Sequence, residues 1–233
     1  ADLVARIVIV DHLTLFAGHE SVLPTFNSLA IETLLWRIPD LAEHFVYFND
    51  DVFLTGPLTP GDLFRDDRPV LRGNRTDSRA IEADPASRDD PTLLNALTQI
   101  NAAALAGFGA ERLFRAAHVV HPMRRSVLAR LYEQHRAAFM ANISHRFRCV
   151  SQFLPQSLHN HACIAADMAV LHNAEDHLHL RTGAVHDYPL PHVRAYLARA
   201  VLPQFKFLCV NDLPQVEAVI PETRDWIERA IAA

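Results

Sequence analysis

Apolar and polar residues along the chain follow two patterns, one typical of short strands and the other of amphipathic helices. A β-branched run at Ile7–Val10 predicts a buried parallel strand, and residues 12–28 predict a loop. Apolar residues then share one face of a predicted helix over 29–38, with Ser28 as its cap. The run His44–Phe48 predicts the next strand. This strand–helix–strand order predicts a parallel sheet that binds ligands at the carboxyl ends of its strands.

The rest of the chain continues with strand and helix patterns and becomes largely helical in its second half. The pattern predicts a strand at 70–73, an exposed loop over 74–92, helices over 93–114, 123–143 and after Pro155, and a late strand over 205–210. We therefore expect an α/β fold with a mainly parallel sheet flanked by helices. Residues 1–212 are predicted to form one domain, which a terminal helix over 213–233 completes.

Composition narrows the class of protein. Half of the 233 residues are hydrophobic, which excludes a disordered chain, and the net charge of -5 comes without a basic block. A nucleic-acid partner is therefore not expected. Three widely separated cysteines indicate a reduced, intracellular chain, and no apolar run reaches the ~18 residues of a membrane span. Because the chain starts without Met, almost directly in a strand-like run, we expect a fragment.

Two apolar runs end in an asparagine followed by aspartate. Asn49, Asp50 and Asp51 follow the strand predicted at 44–48, and Asn211 and Asp212 follow the one at 205–210. Carboxylates at strand ends hold Mg²⁺ or Mn²⁺, which neutralises a diphosphate. The common alternative is an Asx turn with helix-capping acids. If both strands belong to one sheet, the two ends flank a common site.

Histidines and arginines supply further candidates without deciding between roles. The 14 histidines include the pairs His118/His121 and His159/His161, but neither pair has cysteine partners at zinc-finger spacing. Most are expected on the surface or hydrogen-bonded in the core, although one histidine is suited to act as a general base. Arg146 and Arg148 would share one face of an extended segment, as a phosphate clamp or as a solvated pair.

Several stretches together resemble the Stealth family, and they occur in family order over about residues 7–212. The longest, LPTFNSLAIETLLWRIPDLAEHFVYFNDDVFL, resembles the second signature block of that family. LTQINAAALAGFG, AAHVVHPMRRSVLARLY and HRFRCVSQFLPQSLHNHACI resemble the third block, and KFLCVND resembles the fourth. The family comprises bacterial capsule-type sugar-1-phosphate transferases and the catalytic region of lysosomal-enzyme N-acetylglucosamine-1-phosphotransferase.

The resemblance implies a fold and an activity. Family members have a core similar to the GT-A glycosyltransferase fold and use a divalent metal, here Mg²⁺ or Mn²⁺. They transfer a sugar 1-phosphate, such as N-acetylglucosamine 1-phosphate, from a UDP-sugar to an acceptor hydroxyl on a glycan, and they release UMP. The resemblance thus predicts a bacterial protein of capsular or cell-surface polysaccharide synthesis, located in the cytoplasm or at the membrane periphery.

The resemblance also implies roles for particular residues. Asp50, Asp51 and Asp212 would hold the metal, with Asp51 also assigned to catalysis and Asn49 in support. His118 matches the proposed general base of the family, and Arg148 matches the arginine that contacts phosphate. The predicted substrate-binding residues are Asn27, Ser28, Glu32, Asn101, His121, Lys206 and Asn211.

Two features depart from the family pattern. The first signature block, a strand ending in a Tyr-Thr-Trp-Val-Asp type motif, is not in this sequence, and Gln152 stands where many members have an acid. The chain is therefore expected to be part of an active enzyme or a truncated relative. Two alternatives remain: a non-catalytic protein that binds a glycan or nucleotide, and a GT-A glycosyltransferase that releases UDP.

Overall fold

A computed structural model describes residues 7–173 and 175–232, which form a mixed α/β fold. The described strands are β1 (His44–Tyr47), β2 (Val52–Leu54), β3 (Phe64–Arg65), β4 (Arg68–Thr76), β5 (Leu113–Ala116), β6 (His121–Arg124), β7 (Val170–His172), β8 (His177–Leu180) and β9 (Phe207–Val210). The described α-helices are α1 (His12–Leu15), α2 (Ser28–Thr33), α3 (Arg79–Ala83), α4 (Leu94–Leu105), α5 (Arg125–Gln134), α6 (Arg136–Ser144), α7 (Pro155–Ala165), α8 (Ala184–Asp187), α9 (Leu190–Leu197), α10 (Leu213–Val219) and α11 (Thr223–Ala232). The prediction of an α/β protein with a largely helical second half is confirmed.

The chain divides into two compact units, and each consists of separate stretches of sequence. The described part of the first unit is 7–45, 75–115 and 123–168. The second unit comprises 46–74, 116–122, 169–173 and 175–232. Residues 213–232, predicted as a terminal helix, form α10 and α11 in the second unit. That residues 1–212 act as one catalytic domain stays a prediction.

A three-stranded sheet with β9 in its centre organises the second unit. β2 pairs with β9 antiparallel, with Val52 opposite Cys209, and β8 pairs with β9 in parallel, with His179 beside Cys209. A second sheet contains the antiparallel pair β3–β4, and β4 pairs in parallel with β7. The prediction of a mainly parallel sheet is not confirmed, because these sheets mix both orientations. The sequence pattern gave no sign that β2 would run against β9.

All four residues of β9 are buried, and they alternate between two apolar clusters. Leu208 and Val210 pack with residues of β8 and of the helices that follow, including Val193, Val216 and Ile227. On the other face, Phe207 and Cys209 pack with Val52, Val119 and Val120. Because side chains alternate between the two faces of a strand, Leu208 and Val210 belong to one cluster and Cys209 belongs to the other. Cys209 thus lies beside the loop that contains His118.

Helices dominate the first unit. α4 packs on α7, α2 packs on α6, and α5 contacts both α6 and α7. One apolar cluster contains Phe16, Leu34 and Ile143, and another contains Ile100 and Leu113. These contacts bring α2 and the segment around residue 150 into the same unit, although they are far apart in sequence.

Several predicted strands and helices differ in the structure. Ile7–Val10 was predicted as a buried strand, but this segment has no strand partner among the described residues, and Ile7, Val8 and Ile9 are exposed. The prediction was wrong because β-branched residues favour an extended backbone whether or not another strand pairs with it. The strands predicted at 44–48, 70–73 and 205–210 are confirmed as β1, β4 and β9.

The helix predictions were confirmed only in part. The helix predicted over 93–114 ends at Leu105, and its last two residues belong to β5. The cap of α2 is Asn27, whose side chain accepts from the Leu29 amide, and not Ser28. The single helix predicted over 123–143 is two helices, because the backbone at His135 leaves the helical region with φ -124° and ψ 35°. Residues 12–28 contain the short helix α1, and residues 74–92 contain α3. In the described parts of the chain, every helix is too short or too polar to span a bilayer.

Candidate functional site

The candidate site of the second unit lies where β8 and β9 end and β2 begins. Asp51 directly precedes β2, and its carbonyl oxygen accepts from the Val210 amide at 3.0 Å. The next amide, that of Asn211, donates to the Leu180 carbonyl at 3.0 Å. These backbone bonds hold Asp51 and Asn211 next to one another. They meet because β2, which follows Asp51, pairs with β9, whereas β1, the strand predicted before Asn49, lies in a different sheet.

Side-chain hydrogen bonds link Asp51, Asn211 and His179 into a chain. Asn211 Nδ2 donates to Asp51 Oδ2 at 2.5 Å, and Asn211 Oδ1 is 2.7 Å from His179 Nε2. Because a carboxylate only accepts, the amide of Asn211 must face Asp51, and its oxygen must face His179. His179 therefore carries its proton on Nε2. Burial lowers the pKa of His179, which favours this neutral form.

His118 approaches the other oxygen of Asp51. Its Nε2 lies 2.9 Å from Asn49 Nδ2 and 3.2 Å from Asp51 Oδ1. With Asn49 as the donor, this nitrogen carries no proton, which is the state that a general base requires. Asn49 thus orients the imidazole, while the carboxylate of Asp51 would stabilise its protonated form.

Asp51 combines burial with an ionised carboxyl. Burial acts to raise the pKa of Asp51, but its polar neighbours His118 and Asn211 outweigh burial and lower this pKa. Oδ1 is buried and makes no hydrogen bond to any described residue, since its 3.2 Å approach to His118 lacks hydrogen-bond geometry. A buried carboxylate oxygen in this state is a feature that a bound cation would explain.

The other residues predicted in this unit have different surroundings. Asp50 and Asp212 are exposed. Lys206 Nζ contacts Asp62 Oδ1 at 2.6 Å and holds the pKa of Asp62 well below its usual range. His121 stacks on Tyr47, with ring centroids 6.2 Å apart. Among the described residues, the oxygens of the three predicted metal ligands do not form a group within 4.8 Å of one another.

A second set of predicted residues lies in the first unit, where Asn27 and Gln152 form a buried centre. Asn27 Nδ2 donates to Gln152 Oε1 at 2.9 Å and to the His145 carbonyl at 3.0 Å. Asn101 Nδ2 donates to the carbonyls of Val150 and Gln152, each at 2.9 Å. Asn27 and Asn101 therefore hold loops together in this structure.

Ser28 and Arg148 meet at the surface of this unit. Arg148 Nη2 donates to Ser28 Oγ at 2.7 Å, and the guanidinium group is exposed. Arg146, predicted on the same face, instead lies over the Phe26 ring at 5.2 Å. Glu32 is buried and accepts from Gln156 Nε2 at 2.8 Å.

His179, Cys209 and the role of Gln152 as a link between loops were not found from the sequence. The alternation in HLHL, residues 177–180, marks His179 as one of a pair on one face of a strand. Its neighbour Cys209 depends on the register of β8 against β9, which sequence pattern does not give.

The fold and this site define a class: an α/β protein in which a histidine, a carboxylate and an asparagine meet where the strands of a sheet end, an arrangement suited to acid–base chemistry. Comparisons with known proteins then identify the family. Residues 3–70 match the family described as "Stealth protein CR2, conserved region 2". The chain belongs to the Stealth family.

Curated relatives agree with this identification. An exopolysaccharide phosphotransferase of Streptomyces coelicolor is 35% identical over 167 residues, which cover 71% of this chain and 28% of the relative. The capsular polysaccharide phosphotransferase LcbA of Aeromonas hydrophila is 35% identical over 146 residues, covering 61% of this chain and 39% of the relative. A capsular polysaccharide phosphotransferase of Neisseria meningitidis serogroup B is 50% identical over 60 residues, covering 26% and 16%. The chain thus spans less than half the length of these relatives.

Proposed function

We propose that the protein transfers a sugar 1-phosphate from a UDP-sugar to a hydroxyl of a glycan acceptor and releases UMP. The reaction would form a phosphodiester during synthesis of a bacterial capsular or cell-surface polysaccharide. The relatives, which are named as polysaccharide phosphotransferases, support the reaction class. The observation that carries the proposal is the position of His118 Nε2 between the Asn49 amide and the Asp51 carboxylate. The GT-A-like core implied by the resemblance belongs to the same proposal.

The proposed chemistry assigns the proton transfer to His118. The acceptor hydroxyl first displaces the Asn49 amide from Nε2, whose single lone pair then takes the hydroxyl proton as the oxygen attacks the phosphorus of the sugar phosphate. The bond from this phosphorus to the UMP leaving group breaks as the new phosphodiester bond forms. Asp51, ionised at neutral pH, stabilises the imidazolium that results. Arg148 is assigned to binding phosphate through its exposed guanidinium group, which Ser28 orients.

A divalent metal, Mg²⁺ or Mn²⁺, is part of the proposal. The buried Asp51 Oδ1, without a hydrogen bond to any described residue, fits a cation. Proteins bind Mg²⁺ through one or two carboxylates together with substrate phosphates, so Asp51 with Asp50 or Asp212 would suffice. When bound, the metal neutralises charge on the diphosphate of the donor.

The nucleotide product tests the proposal. The protein is incubated with UDP-sugars, glycan acceptors and Mg²⁺ or Mn²⁺, and the nucleotides are separated by chromatography. Release of UMP is expected. Release of UDP would mean a glycosyltransferase, and binding of UDP-sugar without either product would mean a binding protein.

A substitution tests the proposed base. His118→Ala should lower UMP release by about 10²- to 10⁴-fold while donor binding, measured by calorimetry, persists. His192→Ala is the matched control, because His192 is an exposed histidine on α9 of the same unit. Equal turnover in the two variants would refute the assignment of His118.

A further inference from the structure

A group of nitrogen and sulfur side chains lies next to Asp51, in the order His118, His179 and Cys209. His179 and Cys209 are register partners on β8 and β9, so both side chains project from the same face of the sheet. The His118 ring lies beside His179, with centroids 5.1 Å apart. One potential ligand atom from each of His118, His179 and Cys209 lies within 4.8 Å of the other two.

The hydrogen bonds of this group leave ligand positions available. His179 Nε2–H donates to Asn211 Oδ1, so its other ring nitrogen, Nδ1, keeps its lone pair. Such an outer hydrogen bond is the usual way in which proteins orient a metal-binding histidine. Cys209 is a buried free thiol, 3.6 Å from Asn211 Nδ2. Asp51 Oδ1 adds a fourth donor, 3.2 Å from His118 Nε2.

These four donors differ from the set that suits magnesium. Two imidazoles, one thiol and one carboxylate are typical ligands of zinc and related cations, whereas Mg²⁺ prefers oxygen ligands alone. Tetrahedral zinc holds its ligand atoms about 3.5 Å apart, so the atoms of His118, His179 and Cys209, which lie within 4.8 Å of one another, would have to approach by up to about 1 Å. Asp51 lies outside this group of three and would have to move further to join it. Rotation of side chains can supply this movement without a change in the backbone.

We propose that His118, His179 and Cys209, together with Asp51, form a binding site for a transition-metal cation of the zinc class. Cys209 gives up its proton on binding, and the cation takes the lone pair of a ring nitrogen from each histidine. The site therefore exists independently of the donor sugar. One consequence rests on the proposed function: a cation bound to His118 removes the general base, so Zn²⁺ inhibits the transfer.

Cobalt spectroscopy of the tag-free protein tests the site without any turnover. Co²⁺ should bind with one ion per chain and give two signals: intense visible bands of tetrahedral cobalt, and a near-ultraviolet band of thiolate-to-cobalt charge transfer. Zn²⁺ should abolish both signals, and millimolar Mg²⁺ should leave them unchanged. Cobalt bound without the charge-transfer band would overturn the proposal, because the other histidines of the chain could bind Co²⁺ without Cys209.

Variants assign the signals to these residues. Cys209→Ser should remove the charge-transfer band, whereas Cys149→Ser, which changes a partly exposed thiol, should keep it. Because Cys209 is buried, thermal unfolding must first show that the variant folds. His179→Gln provides an independent test, since it keeps the thiol and should weaken Co²⁺ binding by more than about 100-fold, beyond the effect of outer-shell changes. An unchanged spectrum and affinity in a folded Cys209→Ser or His179→Gln variant would refute the site. Because cobalt binding and UMP release are measured separately, either proposal can fail alone.

Discussion

Gln152 offers the sharpest test of how the first unit is held together. Its Oε1 accepts from Asn27 Nδ2 and from the Cys149 amide, each at 2.9 Å, and its Nε2 donates to the Asn142 carbonyl at 2.7 Å. The side chain is buried and uses both of its polar ends. The family pattern that this sequence resembles implies an acid at this position, so Gln152→Glu is an informative substitution that changes only one heavy atom of the side chain.

The structure allows the cost of Gln152→Glu to be estimated. A carboxylate would keep the two accepted bonds and strengthen them, but it would lose the donated bond and place an oxygen against the Asn142 carbonyl. Leaving a buried acceptor unpaired costs about 1–3 kcal/mol, and more beside a charge. We therefore expect the variant to lose about 2–3 kcal/mol of its free energy of unfolding at pH 7.

The sign of the pH dependence follows from the same contacts. In the Gln152→Glu variant, the protonated form of the new carboxyl could donate to the Asn142 carbonyl, so the folded state favours the neutral form and raises the pKa of this carboxyl. A loss of 2–3 kcal/mol corresponds to a rise of about two pKa units above the ordinary value of about 4.3. The penalty should be complete above the raised pKa and should disappear as the pH falls below the ordinary value.

Urea unfolding of the variant and of the wild type at pH 7 and at pH 4.5 measures this penalty. Gln134→Glu is the matched control, because Gln134 is an exposed residue at the end of α5 in the same unit and should change stability by less than about 0.5 kcal/mol. If Gln152→Glu costs no more than this control at pH 7, or if its cost is the same at pH 4.5, the reasoning from the Asn142 contact is wrong.

Three further predictions use charged and titrating groups. Lys206→Met should lower stability by about 1 kcal/mol at pH 7 in urea unfolding. Because Asp62 has a lowered pKa, the difference from wild type should shrink as acid protonates Asp62. Burial lowers the pKa of His159 to about 4, so the unfolded state binds a proton that the folded state does not, and stability should fall by up to about 3 kcal/mol from pH 6.5 to pH 4. His159→Gln should flatten this slope, and an equal slope in both proteins would contradict the assignment. Asp176→Asn should lower the free energy of unfolding by about 3–5 kcal/mol, because it leaves the buried guanidinium of Arg72 without its carboxylate. Arg72→Met, which removes that guanidinium, should lower it by less. Equal thermal unfolding of these two variants would contradict this.

Sequence pattern predicted the parts of the candidate site that depend on neighbours along the chain. The asparagine–aspartate pairs after β1 and β9 could be located because polar residues interrupt apolar runs. The structure brings Asp51 and Asn211 together, but it does so through β2, which follows Asp51 and pairs with β9, because β1 lies in a different sheet. Residues in different parts of the sequence were harder to assign. His179 and Cys209 become neighbours only through the register of β8 on β9.

Long-range contacts also set the limit of the other predictions. That Asn27 binds substrate stays a prediction, and the hydrogen bonds of its side chain to residues about 120 positions later could not be foreseen, because no local pattern reveals such partners. The break at His135 interrupts a helical periodicity that the sequence continues without a glycine or proline. Strand orientation could not be predicted either, because the apolar pattern of β2 is the same in parallel and antiparallel pairing.

The interleaving of the two units constrains how the chain can fold during its synthesis. The first unit consists of three stretches of sequence, and stretches of the second unit lie between them. Its last described segment, 123–168, therefore emerges from the ribosome after parts of the second unit. Val52 and Val70 are then already synthesised, but their strand partners Cys209 and Val170 are not. A nascent chain that ends at residue 168 therefore exposes apolar strands that wait for sequence still to come, a state in which chaperones would bind. No single cut in the sequence separates the two units into independently expressible pieces.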